Sequence, residues 1–188
     1  MGDIGSHCHN LAEYITGLEV EEVCADLTTF IKGRPLDDDG SILLKFNKNA
    51  RGIIWASQIA VGEENGINIR VYCEKGGIKW CQEDPNSLYV HHLKKPTEIY
   101  RTGNEYISDA AAAAASLPAG HTEGFYEAFS NVYKNFLNAV IDFENGKKVN
   151  ADKYDFPTAK DGVRTAAFLD AVVTSSKAEE KWIEISKE

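Results

Sequence analysis

The first ten residues of the chain hold its densest group of side chains capable of acid–base chemistry. Asp3, His7, His9 and Asn10 lie close together there. Asp3 and His7 are four residues apart, so both face the same side if a helix starts early. A carboxylate near an imidazole raises the basicity of the ring and fixes its tautomer, which suits a general base. The same spacing also fits two purely structural roles, with Asp3 as a helix cap and His7 as a surface histidine.

A zinc site is the metal alternative for this segment. It would use His7, Cys8 and His9 as ligands. Adjacent residues on a helix point about 100° apart, so the three side chains do not easily converge on one tetrahedral ion. We therefore expect no metal site here.

His121 is the second candidate for chemistry. It lies in the segment GHTEG at positions 120–124, just before a predicted long helix. Backbone N–H groups at a helix start can bind a hydroxyl or an anion, which favours a substrate contact. The alternative is that His121 is the exposed tip of the preceding loop. His91 and His92 are adjacent in a predicted strand and face opposite sides, so packing and solvent roles are favoured for them.

The composition indicates an ordinary globular protein, and we expect one domain over residues 1–188. The chain is 43% hydrophobic and 26% charged. Its net charge of −9, with no cluster of cations, argues against nucleic-acid binding. There is no run of about 18 apolar residues and no secretory signal, so we expect no membrane span. The four cysteines form no C-x-x-C pair, which favours a reducing, cytoplasmic setting.

The order of the predicted elements gives the fold class. A short helix at 6–16, with Ser6 as its cap and Gly17 as its stop, is followed by β-type runs separated by turn residues. Two long helices at about 122–143, with Thr122 and Glu123 in the first turn, and at 158–177 come next, and a possible edge strand lies at 181–185. The strand predictions are about 20–30, 41–46, 52–61, 67–73, 77–82, 88–93 and 97–100.

Short turns join antiparallel neighbours, because a parallel crossover needs about a dozen residues. The sequence therefore predicts an α+β fold, with a large, mostly antiparallel open sheet and helices packed on one face. No strand is followed by G-x-G-x-x-G, so no dinucleotide-binding fold is expected in this chain.

Four segments in order resemble the Gfo/Idh/MocA family, named after glucose–fructose oxidoreductase and inositol dehydrogenase. The first is GDIGSH at 2–7 with NLA at 10–12, which resembles the D-x-G-x-H segment of that family. The others are EKGGIKW at 74–80, LPAGHTEGF at 117–125 with AFSN at 128–131, and FPT at 156–158 with DG at 161–162. The resemblance spans nearly the whole chain.

The resemblance implies the C-terminal, substrate-binding and oligomerisation domain of an NAD(P)-dependent oxidoreductase acting on a sugar, polyol or related hydroxy compound. It implies His7 as the general base, Asp3 as the group that orients it, and Asn10 and His121 at the substrate. In Asn10 the chain departs from the aspartate that several members have. It also implies a homo-oligomer formed through the sheet, whose free face Trp55, Tyr72 or Trp80 would occupy.

The family's nucleotide-binding loop and its E-K-P lysine belong to an N-terminal Rossmann domain that this chain lacks, and Lys75 matches a different family segment. NAD or NADP is thus expected in a parent protein, while the 188 residues alone should bind no nucleotide and turn over nothing. Two alternatives remain: a stand-alone dimerisation module without chemistry, and a free-standing sugar-binding protein that uses His121 and the face of Trp55.

Overall fold

The computed structural model of the chain describes residues 1–150 and 153–186. A helix comes first, seven strands follow, and three helices and a short strand come last. Within these ranges no helix has both the length and the apolar character needed to cross a membrane. The elements are α1 (Ile4–Thr16), β1 (Val20–Thr28), β2 (Asp39–Phe46), a 3-10 turn (Asn47–Asn49), β3 (Arg51–Ser57), β4 (Asn68–Cys73), β5 (Gly76–Cys81), β6 (Ser87–His92), β7 (Glu98–Arg101), α2 (Asp109–Ala114), α3 (Phe125–Glu144), α4 (Ala159–Lys177) and β8 (Trp182–Glu184).

The strands pair into two four-stranded antiparallel sheets. The first has the order β3-β2-β1-β8 and the second the order β4-β5-β6-β7. The α+β class and the antiparallel pairing are confirmed, but the pairing divides into two sheets where the sequence suggested one. The break follows Ser57, where β3 ends earlier than predicted. A turn in which Glu63 N–H donates to Ala60 O at 3.2 Å follows, and Gly62 (φ 96°) and Glu64 (φ 44°) have left-handed backbone, which an extended strand cannot include.

Backbone contacts group the chain into two compact units. Unit 1 comprises Met1–Glu64 and Ala159–Glu188, and unit 2 comprises Asn65–Thr158. Unit 1 contains the first sheet with α1 and α4, while unit 2 contains the second sheet with α2 and α3. That the whole chain forms one domain remains a prediction.

The core of unit 1 lies between the first sheet and its helices. Alternate residues of the strands point inward, as the two-residue period of a strand requires. Phe168 and Val172 of α4 are fully buried against them. Burying a side chain of this kind stabilises the fold by about 1.5–3 kcal/mol. The inward strand residues are Val20, Val23, Ala25, Ile42, Leu44, Phe46, Ile54 and Ala56.

The ends of α1 show one prediction confirmed and one wrong. Gly17 ends the helix with a left-handed backbone (φ 63°), and its N–H donates to Glu13 O at 2.8 Å. Ser6 is not the cap, because the helix begins two residues earlier and Asp3 is the N-cap residue. The Ser6 hydroxyl instead donates to the Asp3 carbonyl from inside the first turn.

Candidate active site

The exposed face of α1 carries the three residues that the sequence placed at its catalytic end. Asp3, His7 and Asn10 are all exposed. Their spacings of four and three residues put them on the same side of the helix, one turn after another. No hydrogen bond joins the Asp3 and His7 side chains among the described contacts. The helix therefore presents a row of one carboxylate, one imidazole and one amide to incoming polar groups.

His9 lies on the opposite side of α1, inside the core of unit 1. Its side chain is 1% exposed, and its ring stacks on Phe168 at 4.0 Å between centroids with an interplanar angle of 13°. Cys8 is half-buried, so His7, Cys8 and His9 point in three different directions. Among the described residues, no group of three or more His, Cys, Asp or Glu side chains could hold a metal ion.

Glu13 fixes the position of α1 relative to α4 and β1. Its carboxylate accepts a hydrogen bond from Arg164 Nη2 at 2.9 Å and one from Val20 N–H at 2.7 Å. His9 Nε2 lies 3.3 Å from the same carboxylate. Burial by itself raises the pKa of Glu13, but the contacts from His9, Arg164 and Val20 outweigh it and lower that pKa from 4.5 to about 2.

The sequence analysis missed this clamp of Glu13 and Arg164. The two residues are separated by 151 positions, and nothing local connects them. The one local signal was the i,i+4 spacing of His9 and Glu13, which predicts neighbours on a helix. The clamp holds the helix that presents Asp3 and His7, so it acts on the candidate site by positioning rather than by contact with a substrate.

A cleft of about 270 Å³ opens beside this clamp in unit 1. Asn10 lines it and connects it with the exposed face of α1. Its wall is polar and apolar in about equal measure, and Leu18 and Tyr14 lie on its apolar part. The lining residues are His9, Asn10, Glu13, Tyr14, Gly17, Leu18, Glu19, Asp161, Arg164 and Thr165.

His121 belongs to unit 2, in a loop organised by Glu123. The Glu123 carboxylate accepts N–H bonds from Ser116 (2.6 Å) and Leu117 (2.9 Å). This turns the segment back on itself, so the predicted start of the long helix at Thr122 is wrong and α3 begins at Phe125. His121 is exposed, and its Nδ1 lies 3.3 Å from Pro118 O. Its ring is therefore accessible, as a substrate contact requires.

The beginning of the chain matches a known family model, described as the GFO/IDH/MocA C-terminal domain, over residues 1–79. The matched region includes α1, and both Asp3 and His7 lie within it. Over these residues the chain is similar to the C-terminal domain of the Gfo/Idh/MocA family. Its antiparallel α+β fold agrees with that similarity.

Solved structures and a curated relative extend the similarity to nearly the whole chain. An oxidoreductase from Sinorhizobium meliloti is 39% identical, with a TM-score of 0.87 over 96% of this chain and 51% of that one. An inositol dehydrogenase homolog from Azotobacter vinelandii, solved with NADH and myo-inositol, is 27% identical, with a TM-score of 0.91 over 97% of this chain and 48% of that one. Levoglucosan dehydrogenase from Pseudarthrobacter phenanthrenivorans is 25% identical over 211 aligned positions, 98% of this chain and 51% of its own.

The chain spans about half the length of these three relatives. A nicotinamide nucleotide is bound in such folds by a parallel sheet with a glycine-rich loop at a helix start. In the described ranges all strand pairs are antiparallel, and the sequence has no G-x-G-x-x-G. The residues present therefore do not fit a nucleotide site of their own.

Proposed function

We propose that this chain is the substrate-binding and oligomerisation part of an NAD(P)-dependent oxidoreductase that acts on a sugar, polyol or related hydroxy compound. The observation that carries the proposal is the row of Asp3, His7 and Asn10 on the exposed face of α1. Two relatives support the substrate class, because one is named for levoglucosan and another was solved with myo-inositol. The nucleotide is held elsewhere in a longer protein.

His7 is the proposed general base in this scheme. Its exposed imidazole takes the proton of a substrate hydroxyl, while NAD(P) held by the longer protein would accept the hydride from the carbon that bears it; the imidazole returns the proton in the reverse direction. Asp3, one turn earlier, orients the ring and stabilises its protonated form. Asn10 and His121 bind further hydroxyl groups, since an amide and an imidazole each both donate and accept hydrogen bonds.

The free face of the first sheet supports the oligomerisation part of the proposal. Leu43 and Ile53 are paired across β2 and β3 and are 45% and 74% exposed, and Trp55 beside them is 55% exposed. An apolar face of this kind is typical of an interface between copies of a chain. Trp80 is half-buried, and its Nε1 donates to Pro85 O at 3.0 Å.

The test measures nicotinamide absorbance with the natural protein at its full length, a panel of polyols and sugars, and both nucleotides. We expect turnover, and we expect His7→Gln to lower kcat/KM by about 10²–10⁴-fold, the usual contribution of a general base. The acidic limb of the pH profile should disappear in the variant. The 188-residue chain alone should show neither turnover nor nucleotide binding.

His91→Gln is the matched control, because His91 is also an exposed histidine but lies in β6, with Nδ1 3.0 Å from Thr97 Oγ1. It should leave kcat/KM within about twofold. Equal effects of the two variants would contradict the role of His7. If the full-length protein turns over no polyol or sugar with either nucleotide, the alternative of a dimerisation module without chemistry is favoured instead.

A further inference from the structure

Asn86 lies just before β6, and its buried side chain reaches the segment that carries His121. The residue is 8% exposed. Its Oδ1 accepts a hydrogen bond from Thr102 Oγ1 at 2.9 Å and one from Glu123 N–H at 3.3 Å. Its Nδ2 donates to Glu123 O at 2.8 Å. The side-chain amide therefore binds both backbone groups of Glu123, as a neighbouring strand of a sheet would.

This pair of bonds needs a donor and an acceptor side by side, which an amide provides. If the amide were turned over, Nδ2 would face an N–H and Oδ1 would face a carbonyl, so the contacts fix its orientation. Aspartate has the same shape but no donor, and one of its oxygens would face the Glu123 carbonyl. Leaving a buried polar group unpaired in this way costs more than a hydrogen bond gains on average.

The segment 116–124, which we call the His121 loop, is held at two further points. The Glu123 carboxylate binds two N–H groups at the start of the loop. Gly103, with φ 74°, lies so close to the loop that a Cβ there would be 2.7 Å from Ala119 N. His121 lies between these anchors. All of the contacts are made inside unit 2, so they do not depend on what surrounds that unit.

We propose that Asn86 is a positioning residue for His121. Its amide fixes the backbone of residue 123, two positions after the imidazole, so the loop is ordered before a substrate binds. Binding to a group that is already ordered avoids part of the entropic cost of binding. The proposal rests on the proposed function, in which His121 binds a substrate hydroxyl. Asn86 is itself buried and acts through the loop, without contact with the substrate.

Steady-state kinetics of the natural protein at its full length test the proposal, with Asn86→Ala and Asn86→Asp as the main variants. We expect each variant to raise KM by about 5–10-fold and to leave kcat within about twofold, because the hydroxyl that His121 binds is not the one that is oxidised. The rise in His121→Ala should be at least as large. In the double variant of Asn86→Ala and His121→Ala, KM should stay within about twofold of its value in His121→Ala, because two residues that act through one contact are not additive.

Ser87→Ala is the matched control. Ser87 is the next residue in the chain and is 2% exposed. Its Oγ donates to Asp84 Oδ1 at 3.0 Å and accepts from Arg101 Nη1 at 3.2 Å. Among the described contacts its hydroxyl has no hydrogen bond to the His121 loop. The variant should lose stability as the Asn86 variants do but keep KM within about twofold, which separates a lost position from a general loss of stability.

Hydrogen exchange, read by mass spectrometry on the same full-length proteins, follows the loop without any substrate. Peptides that cover residues 116–124 should exchange at least about tenfold faster in Asn86→Ala than in the parent, and at the parent rate in Ser87→Ala. Unchanged exchange in Asn86→Ala would overturn the proposal, whether or not the protein turns over a substrate.

The kinetic outcomes separate this proposal from the proposed function. If KM rises in His121→Ala but not in Asn86→Ala, or if the two rises multiply in the double variant, Asn86 does not act through His121 and the proposal fails alone. An equal rise of KM in Ser87→Ala would also overturn it. If KM is unchanged in His121→Ala, or if no substrate is turned over, the proposed function fails in that respect and the positioning role fails with it.

Discussion

Replacing Glu13 by glutamine tests how the candidate catalytic helix is held in place. The carboxylate is only 16% exposed and joins α1 to α4 through Arg164 and to β1 through the N–H of Val20. Glutamine has almost the same shape and keeps one oxygen acceptor. It removes the negative charge and leaves the mostly buried Arg164 guanidinium, which also donates to Val20 O, without an anionic partner.

The size of the effect follows from the pKa of Glu13. Contacts in the folded state lower it from 4.5 to about 2 against the effect of burial. At about 1.4 kcal/mol per pKa unit, the ionised form contributes about 3 kcal/mol to the free energy of unfolding. Because the folded pKa is lowered, this stabilisation is complete above about pH 4.5 and is lost as the pH falls towards 2.

Urea unfolding at several pH values between 7 and 2 measures this contribution. Trp55 and Trp182 lie in unit 1 and Trp80 in unit 2, so Trp80→Phe in all proteins makes the fluorescence report on unit 1. We expect Glu13→Gln to lose about 3 kcal/mol at pH 7, and we expect the difference from the parent to vanish near pH 2.

Glu63→Gln is the control, because Glu63 is exposed and has no ion pair among the described contacts. It should unfold within about 0.5 kcal/mol of the parent at every pH. A Glu13→Gln loss below about 1 kcal/mol at pH 7, or one that persists unchanged at pH 2, would refute the reasoning.

Three further changes have outcomes that the structure determines. Ser175→Ala removes a fully buried hydroxyl that accepts from Ala25 N–H at 2.8 Å, and should cost about 1–3 kcal/mol in urea unfolding. Phe168→Ala opens a cavity beside the buried ring of His9 and should lower the free energy of unfolding by about 3–5 kcal/mol in the same assay. Asp142→Asn replaces the charged acceptor that raises the pKa of Tyr154 with a neutral one, so an ultraviolet titration against Tyr154→Phe should show that pKa fall.

The elements of this chain could be predicted because their signals are local. The alternation of β1, β2 and β3 follows from a two-residue period, and the apolar line of α3 from a 3.6-residue period. Gly17 ends α1 because it accepts a left-handed backbone at little cost. The spacing of Asp3 and His7 similarly predicted that the two would share one face of α1.

Other features were decided only by tertiary structure. The division into two sheets depends on backbone conformation near Gly62 and Glu64, which the apolar run at 52–61 does not reveal. The start of α3 moved because Glu123 binds loop N–H groups instead of entering the helix. Local propensity cannot anticipate a carboxylate that has a better partner several residues away.

The contrast between His7 and His9 shows most clearly what the sequence determined and what only the tertiary structure decided. The sequence determined that these two histidines, two positions apart on a helix, point in different directions. It did not determine which one would be buried. That choice depends on Phe168 and Arg164, which arrive from more than 150 residues away to stack on His9 and to bind Glu13. Contacts over such a separation form only when the whole unit folds, because no local interaction fixes them.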